Sequence, residues 1–173
     1  MILLSVGTQL PFDRLIRSVE RWALEQGRSD VVAQVGPSDY APIGMESFRF
    51  MEHGPFRQLQ EECSLMISHA GMGSIITAME LGKPIVIMAR DHRRGEHRNG
   101  HQMATLRQFA NVPGVYPAAD EAQLLGWLEM ADKLTAMPSA EAEAPEEFVA
   151  RLAEYIRAPR DRSFLRRLRT LFQ

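Results

Sequence analysis

Residues 68–77 read SHAGMGSIIT and combine small side chains with groups that can bind an anion. Gly71 and Gly73 leave the backbone accessible, Ser74 supplies a hydroxyl, and a helical pattern follows. The start of a helix offers free N–H groups and the positive end of the helix dipole. The small residues could instead allow close packing of the helix on the preceding strand, and a lone His69 is often a packing residue. Together the residues favour a phosphate-binding turn.

Two other segments carry polar groups that could contact a ligand. Residues 6–9, VGTQ, place Gly7 and Thr8 directly after an apolar run, and the alternative is a plain strand-to-helix turn. Residues 90–102, RDHRRGEHRNGHQ, hold more hydrogen-bonding side chains than a turn needs, and the alternative is a solvated charged loop. Both segments are therefore candidates for a binding site.

The histidines of the second segment raise the question of a metal. His92, His97 and His101 have a spacing that matches no common zinc motif, and no cysteine or acidic cluster completes a ligand set. We expect no metal site here.

Short apolar runs alternate with longer helical patterns along the chain. The pattern predicts strands at residues 2–6, 31–35, 48–51, 65–68, 85–88 and 115–116. It predicts helices at residues 13–26, 55–62, from the glycine turn to 81, 100–109 and 121–131. This alternation favours a doubly wound parallel α/β sheet of the Rossmann-like kind. Ligands of such sheets bind beyond the carboxyl ends of the strands, where all three polar segments follow predicted strands.

Composition and charge narrow the class of protein. The chain has 173 residues, 45% of them hydrophobic and 24% charged, as in a globular domain. Its net charge of −2 gives no reason to expect a nucleic acid partner. Cys63 is the single cysteine and fits a reducing, cytoplasmic setting. No run reaches the ~20 apolar residues of a membrane span, and the N-terminus lacks the features of a signal peptide.

The pattern changes near residue 133. Residues 133–145 are rich in Ala, Glu, Ser and Pro and are expected to connect the domain at 1–132 to C-terminal helices at 146–173. The last of these, at residues 162–172, is basic and amphipathic. It could dock on a partner, lie on anionic lipid headgroups, or pack on its own domain.

Three segments together resemble a known family. SHAGMGSIITAMELGKPIVIM, followed by GEHRNGHQMATL, resembles the donor-binding half of family 28 glycosyltransferases of the GT-B type, and VGTQLPFDRLI is similar to their opening. The resemblance covers roughly residues 1–130. The most similar members are single-domain catalytic subunits of two-component enzymes. Some build the dolichol-linked N-acetylglucosamine disaccharide, and others are bacterial exopolysaccharide subunits proposed to transfer glucuronic acid. The ITAMELGKP form and the GEHRN segment favour the second type.

The resemblance implies roles for particular positions. His69, Gly71 and the helix start at Gly73 and Ser74 fall where the family holds the pyrophosphate of UDP, and Met72 between them is a further candidate substrate contact. Gln102, in the pair His101–Gln102, falls where relatives contact hydroxyls of the donor sugar, and Gly7 and Thr8 fall at the loop facing the acceptor. The polar segment adds Arg90, Glu96, His97 and Asn99 as candidate substrate contacts, and its arginines Arg90, Arg93, Arg94 and Arg98 would suit a uronic acid carboxylate.

One position departs from the family pattern. Relatives commonly have a ribose-binding glutamate where this chain has Thr77, and the nearest carboxylate is Glu80. Residues three apart on a helix lie on neighbouring parts of one face, so Glu80 is a candidate to replace it.

The resemblance also implies a function. We expect the donor-binding, catalytic subunit of an inverting glycosyltransferase that transfers glucuronic acid or N-acetylglucosamine from a UDP-sugar to a lipid-linked glycan in polysaccharide biosynthesis. A membrane-anchored acceptor-binding subunit would recruit it to the inner face of the membrane and could supply the base. The UDP-sugar is a substrate, and no cofactor is expected. The alternative is a non-catalytic nucleotide-sugar-binding or regulatory module of the same fold.

Overall fold

Six short strands form one parallel sheet at the centre of the fold. The computed structural model describes residues 1–98 and 100–136. The strands are β1 (Ile2–Ser5), β2 (Val31–Gln34), β3 (Glu46–Phe48), β4 (Leu65–His69), β5 (Ile85–Met88) and β6 (Val115–Ala118). Their order is β3-β2-β1-β4-β5-β6, so the connections run in opposite directions on the two sides of the paired strands β1 and β4. This is the doubly wound arrangement, and it confirms the predicted fold class.

Four α-helices lie between strands of the described residues, and a fifth follows β6. They are α1 (Asp13–Glu25), α2 (His53–Glu62), α3 (Met72–Glu80), α4 (His101–Phe109) and α5 (Glu121–Leu128). Short 3-10 turns follow at His92–Arg94 and Ala131–Lys133. None of the helices within 1–98 and 100–136 is long and apolar enough to cross a membrane.

The core explains why the strands read as continuous apolar runs. Leu3 and Leu4 of β1 are both fully buried, as are Val86 and Ile87 of β5, because side chains on both faces of the sheet are covered. One face packs on α1 and α5 around a cluster of buried residues that includes Leu4, Ile16 and Val86. On α1 the apolar residues recur at helical spacing and face this cluster.

Most predicted elements lie within a residue or two of the observed ones, and β3 is the largest difference. We predicted a strand at 48–51, but β3 spans Glu46–Phe48 and pairs with β2 from Val32 to Gln34. Phe50 and Met51 therefore lie beyond the strand and are exposed. The helix predicted to 131 ends at Leu128, before the second 3-10 turn. The C-terminal helices predicted within 146–173 lie outside the described residues.

Candidate active site

The carboxyl ends of β1, β4 and β5 surround a cavity of about 430 Å³. It lies at the carboxyl ends of the neighbouring strands β1 and β4, where the connections diverge, which is the position at which doubly wound sheets bind ligands. The following residues line it: Ser5, Val6, Gly7, Thr8, Gln9, Leu10, Gln34, Phe50, Met51, Phe56, Gln60, His69, Gly73, Ser74, Thr77, Arg90, His97 and Gln102.

The amino terminus of α3 forms one wall of this cavity. Gly71 precedes the helix in an extended conformation and its N-cap position makes no side-chain hydrogen bond. The first hydrogen bond of the helix runs from the Ile75 amide to the Gly71 carbonyl, at 3.4 Å. The amides of the first turn, at residues 72–74, precede that bond and have no partner within the helix. Together with the helix dipole they form a site suited to an anion.

His69, the last residue of β4, stands next to this helix start. A Cβ on Gly71 would lie 2.3 Å from the Nε2 atom of His69, and a Cβ on Gly7 would lie 2.8 Å from its Cε1 atom. Glycine at both positions therefore lets the two loops close around the imidazole. Burial, and secondarily the guanidinium of Arg90, lower the pKa of His69 to about 4. The ring is neutral at physiological pH and can offer a hydrogen bond to a ligand, but no charge.

Hydrogen bonds of the Ser68 hydroxyl join β1, β4 and α3. The hydroxyl of Ser68 is bonded to the Ser5 carbonyl at 2.9 Å, and its Oγ lies 2.9 Å from the Oγ of Ser74. Ser68 is fully buried, whereas Ser74 is half-buried and lines the cavity. The hydrogen bond thus fixes the Ser74 side chain at the helix start.

The loop after β1 is held by Gln34, a residue that the sequence did not single out. Its side-chain oxygen accepts hydrogen bonds from the Ser5 hydroxyl at 2.8 Å and the Gly7 amide at 3.0 Å. Its side-chain nitrogen donates to the carbonyls of Gly7 and Arg49, at 3.1 and 3.0 Å. Gln34 is buried, so one side chain fixes the ends of β1 and β3 relative to each other.

Arg90 holds the same loop from the opposite side. Its guanidinium donates to the carbonyls of Val6 and Leu10, both at 2.7 Å, and also to that of Pro11. It stacks on the ring of Phe12, 4.7 Å from the centroid. Burial lowers the pKa of Arg90 to about 10, so the group is still charged at neutral pH. The backbone carbonyls occupy most of its donors.

Gln102, near the start of α4, is oriented by the backbone of Arg90. The amide of Arg90 donates to the side-chain oxygen of Gln102 at 3.0 Å. Because that bond engages the oxygen, the NH2 group is the end of the Gln102 side chain left to donate to a ligand in the cavity.

The remaining residues of the polar segment divide between the cavity and its support. His97 lines the cavity, whereas His101 does not. Glu96 binds Arg14 through both carboxylate oxygens, each at 2.7 Å, and accepts the Asp91 amide, so it anchors the segment to α1. Asn99 lies outside the described residues. No group of three or more metal-ligating side chains occurs within 1–98 and 100–136.

Thr77 and Glu80 lie in different surroundings. Thr77, one turn into α3, lines the cavity. Glu80 does not, is well exposed, and its carboxylate lies 3.8 Å from the guanidinium of Arg57 on α2. At the position for which the resemblance implies a ribose contact, the cavity therefore presents a hydroxyl.

Apolar side chains also line the cavity. Phe50 and Met51 follow β3, and Phe56 and Gln60 lie on α2. Phe50 and Met51 remain 55% and 40% exposed, a large apolar area to leave beside a polar cavity. Their apolar run was interpreted as a strand, and no motif marked them as lining a site.

Of the site residues proposed from the sequence, the structure brings nine to the cavity. These are Gly7, Thr8, His69, Gly73, Ser74, Thr77, Arg90, His97 and Gln102. Gly71 lies against the imidazole of His69, which lines the cavity, and Met72 is the first residue of α3. Glu80, Glu96 and His101 are not among the lining residues.

Comparison with known proteins identifies the domain. The model of the glycosyltransferase family 28 C-terminal domain matches residues 1–156. No curated protein sequence matches the chain significantly. The solution structure of ALG13 is similar in fold, with a TM-score of 0.59 and 18% identity over 83% of this chain and 91% of that one.

Larger glycosyltransferases contain a similar domain. The glycotransferase of kitacinnamycin has a TM-score of 0.55 and 17% identity, over 82% of this chain. SsfS6 from Streptomyces sp. SF2575, solved with thymidine diphosphate, has a TM-score of 0.52 and 20% identity, over 88% of this chain. The chain spans 36% of the length of each. At these identities the likeness is one of fold.

Proposed function

The chain belongs to the family of glycosyltransferase family 28 C-terminal domains, and from that premise we propose that its cavity binds a UDP-sugar with the diphosphate at the amino terminus of α3. The observation that carries the proposal is the helix start itself. Gly73 and Ser74, whose amides have no helical partners, border one cavity together with the fixed Ser74 hydroxyl and the neutral imidazole of His69. Such donors stabilise the negative charge of a diphosphate through hydrogen bonds and the helix dipole.

The other walls suit the remaining parts of the donor. The apolar surfaces of Phe50, Met51 and Phe56 match the flat face of a nucleobase. Thr77 offers a hydroxyl to the ribose, and the NH2 group of Gln102 offers a donor to the sugar hydroxyls. The fold similarity to SsfS6, solved with thymidine diphosphate, supports a nucleoside diphosphate as ligand.

The proposed reaction is an inverting transfer. An acceptor hydroxyl attacks the anomeric carbon of the sugar, the bond to the diphosphate breaks, and UDP leaves with the bonding electrons. The acceptor proton passes to a base. The helix start stabilises the negative charge that develops on the leaving diphosphate, which speeds the step only because the donors are already in place.

The last part of the proposal concerns the site that binds the acceptor. A GT-B site lies between two domains, and the described residues form one. We infer that a membrane-anchored subunit supplies the acceptor site and the base, and brings the chain to the inner face of the membrane. The acceptor is then a lipid-linked glycan, and the transferred sugar glucuronic acid or N-acetylglucosamine.

Calorimetry with a series of ligands tests the diphosphate site. We expect UDP to bind, and UMP to bind about 10 to 100 times more weakly, because the lost phosphate makes charge-assisted hydrogen bonds worth about 1.5–3 kcal/mol each. Uridine should be weaker still. Equal affinity for UDP and uridine, or no binding of millimolar UDP by the folded protein, contradicts the proposal. A transfer assay with the membrane-anchored subunit present separates catalysis from binding alone.

A further inference from the structure

A second concave surface, of about 660 Å³, lies along α1 and shares no lining residue with the donor cavity. Four of the residues that line it are arginines: Arg14, Arg17, Arg21 and Arg94. The others are Ser18, Glu96 and Glu121. The four positive charges exceed the two negative ones, in a chain whose net charge is −2.

The excess charge resides on Arg17 and Arg21. Arg14 is neutralised by Glu96 at 2.7 Å and Glu121 at 3.2 Å, and Arg94 lies 3.4 Å from Glu121. Within the described part of the chain, neither Arg17 nor Arg21 has a carboxylate within 4 Å. Both are exposed.

Exposed aliphatic side chains adjoin these arginines. Leu24 follows Arg17 and Arg21 on the same face of α1, at the spacing i, i+4 and i+7, and is 60% exposed. The 40–45 loop packs against it, since a Cβ on Gly44 would lie 2.6 Å from Leu24. The neighbouring Ile43 is 96% exposed.

The loop that displays Ile43 is fixed to α1. The carboxylate of Glu20, buried on α1, accepts the Ile43 amide at 2.5 Å and the Gly44 amide at 3.3 Å. The same carboxylate accepts the hydroxyl of Tyr40, whose ring lies 3.7 Å beneath the guanidinium of Arg17. A protruding aliphatic residue and two arginines with no carboxylate within 4 Å thus lie on one surface, which we call the α1 basic face: Arg17, Arg21, Leu24 and Ile43.

We propose that the α1 basic face contacts the surface of a bilayer that contains acidic phospholipids. Arginine binds phosphate oxygens with paired hydrogen bonds, and the headgroups offer phosphates at many positions. An aliphatic side chain beside cations is the combination by which peripheral proteins enter the interface. Ile43 is 96% exposed, and a bilayer covers a protruding side chain from all sides. The inference goes beyond donor binding and needs no UDP.

Co-sedimentation of the full chain with lipid vesicles tests the proposal. We expect binding to vesicles that contain phosphatidylglycerol and little binding to phosphatidylcholine alone. Each arginine at an acidic surface contributes about fivefold to the affinity, so Arg17→Gln with Arg21→Gln should weaken binding ~25-fold. Arg21→Gln alone, which disturbs no ring stacking, should weaken it about fivefold. Ile43→Ser should weaken it as well.

Two pairs of control substitutions distinguish vesicle binding by the α1 basic face from binding by other parts of the chain. Arg57→Gln with Arg107→Gln removes the same charge elsewhere and should leave vesicle binding nearly unchanged. Arg166→Gln with Arg167→Gln tests the C-terminal segment. Absence of binding by the wild type overturns the proposal and favours an acidic protein as the partner of this face. Loss in the C-terminal pair but in none of the α1 variants overturns it too. UDP affinity should be unchanged in every α1 variant, so the donor site is judged separately.

Discussion

Replacement of Gly73 by alanine tests whether the diphosphate approaches the backbone at the start of α3. Gly73 lines the cavity, and a Cβ placed there meets no atom within 4 Å. The methyl group therefore enters the space of the cavity without touching the protein. Since Gly73 lies in a helix, the substitution should also raise the free energy of unfolding by about 0.5–1 kcal/mol.

The expected loss of affinity follows from the hydrogen bonds that the methyl group displaces. A phosphate held off the amides of the first turn loses at least one charge-assisted bond, worth about 1.5–3 kcal/mol, which is a 10- to 100-fold weaker binding of UDP. We therefore expect the variant to be more stable and to bind UDP more weakly. If the substitution damaged the fold instead, both the free energy of unfolding and the affinity for UDP would fall.

Gly126→Ala is the matched control. Gly126 lies within α5, its Cβ would also meet nothing within 4 Å, and it does not line the cavity. Thermal unfolding should show a similar stabilisation in both variants, and calorimetry should show weaker UDP binding only in Gly73→Ala. UDP binding by Gly73→Ala at wild-type affinity would refute the placement of the diphosphate.

Three further predictions follow from the same site. Thr77→Val should weaken UDP binding, measured by calorimetry, about fivefold. Glu80→Gln should leave UDP binding unchanged, because Glu80 is not among the residues that line the cavity. Weaker UDP binding by Glu80→Gln would mean that its carboxylate reaches the ligand. Arg90→Met should lower the free energy of unfolding, measured in urea, by about 2–4 kcal/mol, and Arg107→Met, at an exposed position, by less than ~0.5 kcal/mol. If the two variants were equally stable, the hydrogen bonds of Arg90 would not be what holds the β1 loop. Because burial lowers the pKa of His69 from 6.5 to about 4, the unfolded chain binds more protons between these values and stability falls as the pH drops through this window. His69→Gln should lack this part of the loss, and an unchanged pH profile would argue against a buried, neutral ring.

The sequence predicted the elements whose pattern is carried by the core. Val86 and Ile87 lie in a run that is apolar because both faces of β5 are covered, and β5 was predicted at its observed bounds. The edge strand β3 has no such signal, since its first two residues are exposed and its position is set by pairing with β2. The apolar pair Phe50 and Met51 was therefore taken for part of the strand, although it lines the cavity.

In the site, too, the features set by neighbouring residues were predictable from the sequence, and those set by contacts between distant residues were not. The helix start at 71–74 was predictable because glycines and hydroxyls adjoin in sequence. The support of the site was not, because Gln34 and Arg90 act on a loop that lies 27 and about 80 residues away in sequence. Arg90 was assigned to the ligand for its charge, yet its donors are bound to carbonyls of the β1 loop. Only the fold brings those carbonyls to it.

An NMR titration of the isotope-labelled protein with UDP tests the central claim most directly, because each backbone amide reports its own surroundings. The account predicts the largest shifts at the amides of residues 71–74 and smaller ones along the β1 loop and at residues 50–51, with UMP shifting the first group less than UDP. Shifts that saturate while residues 71–74 stay unmoved would contradict it.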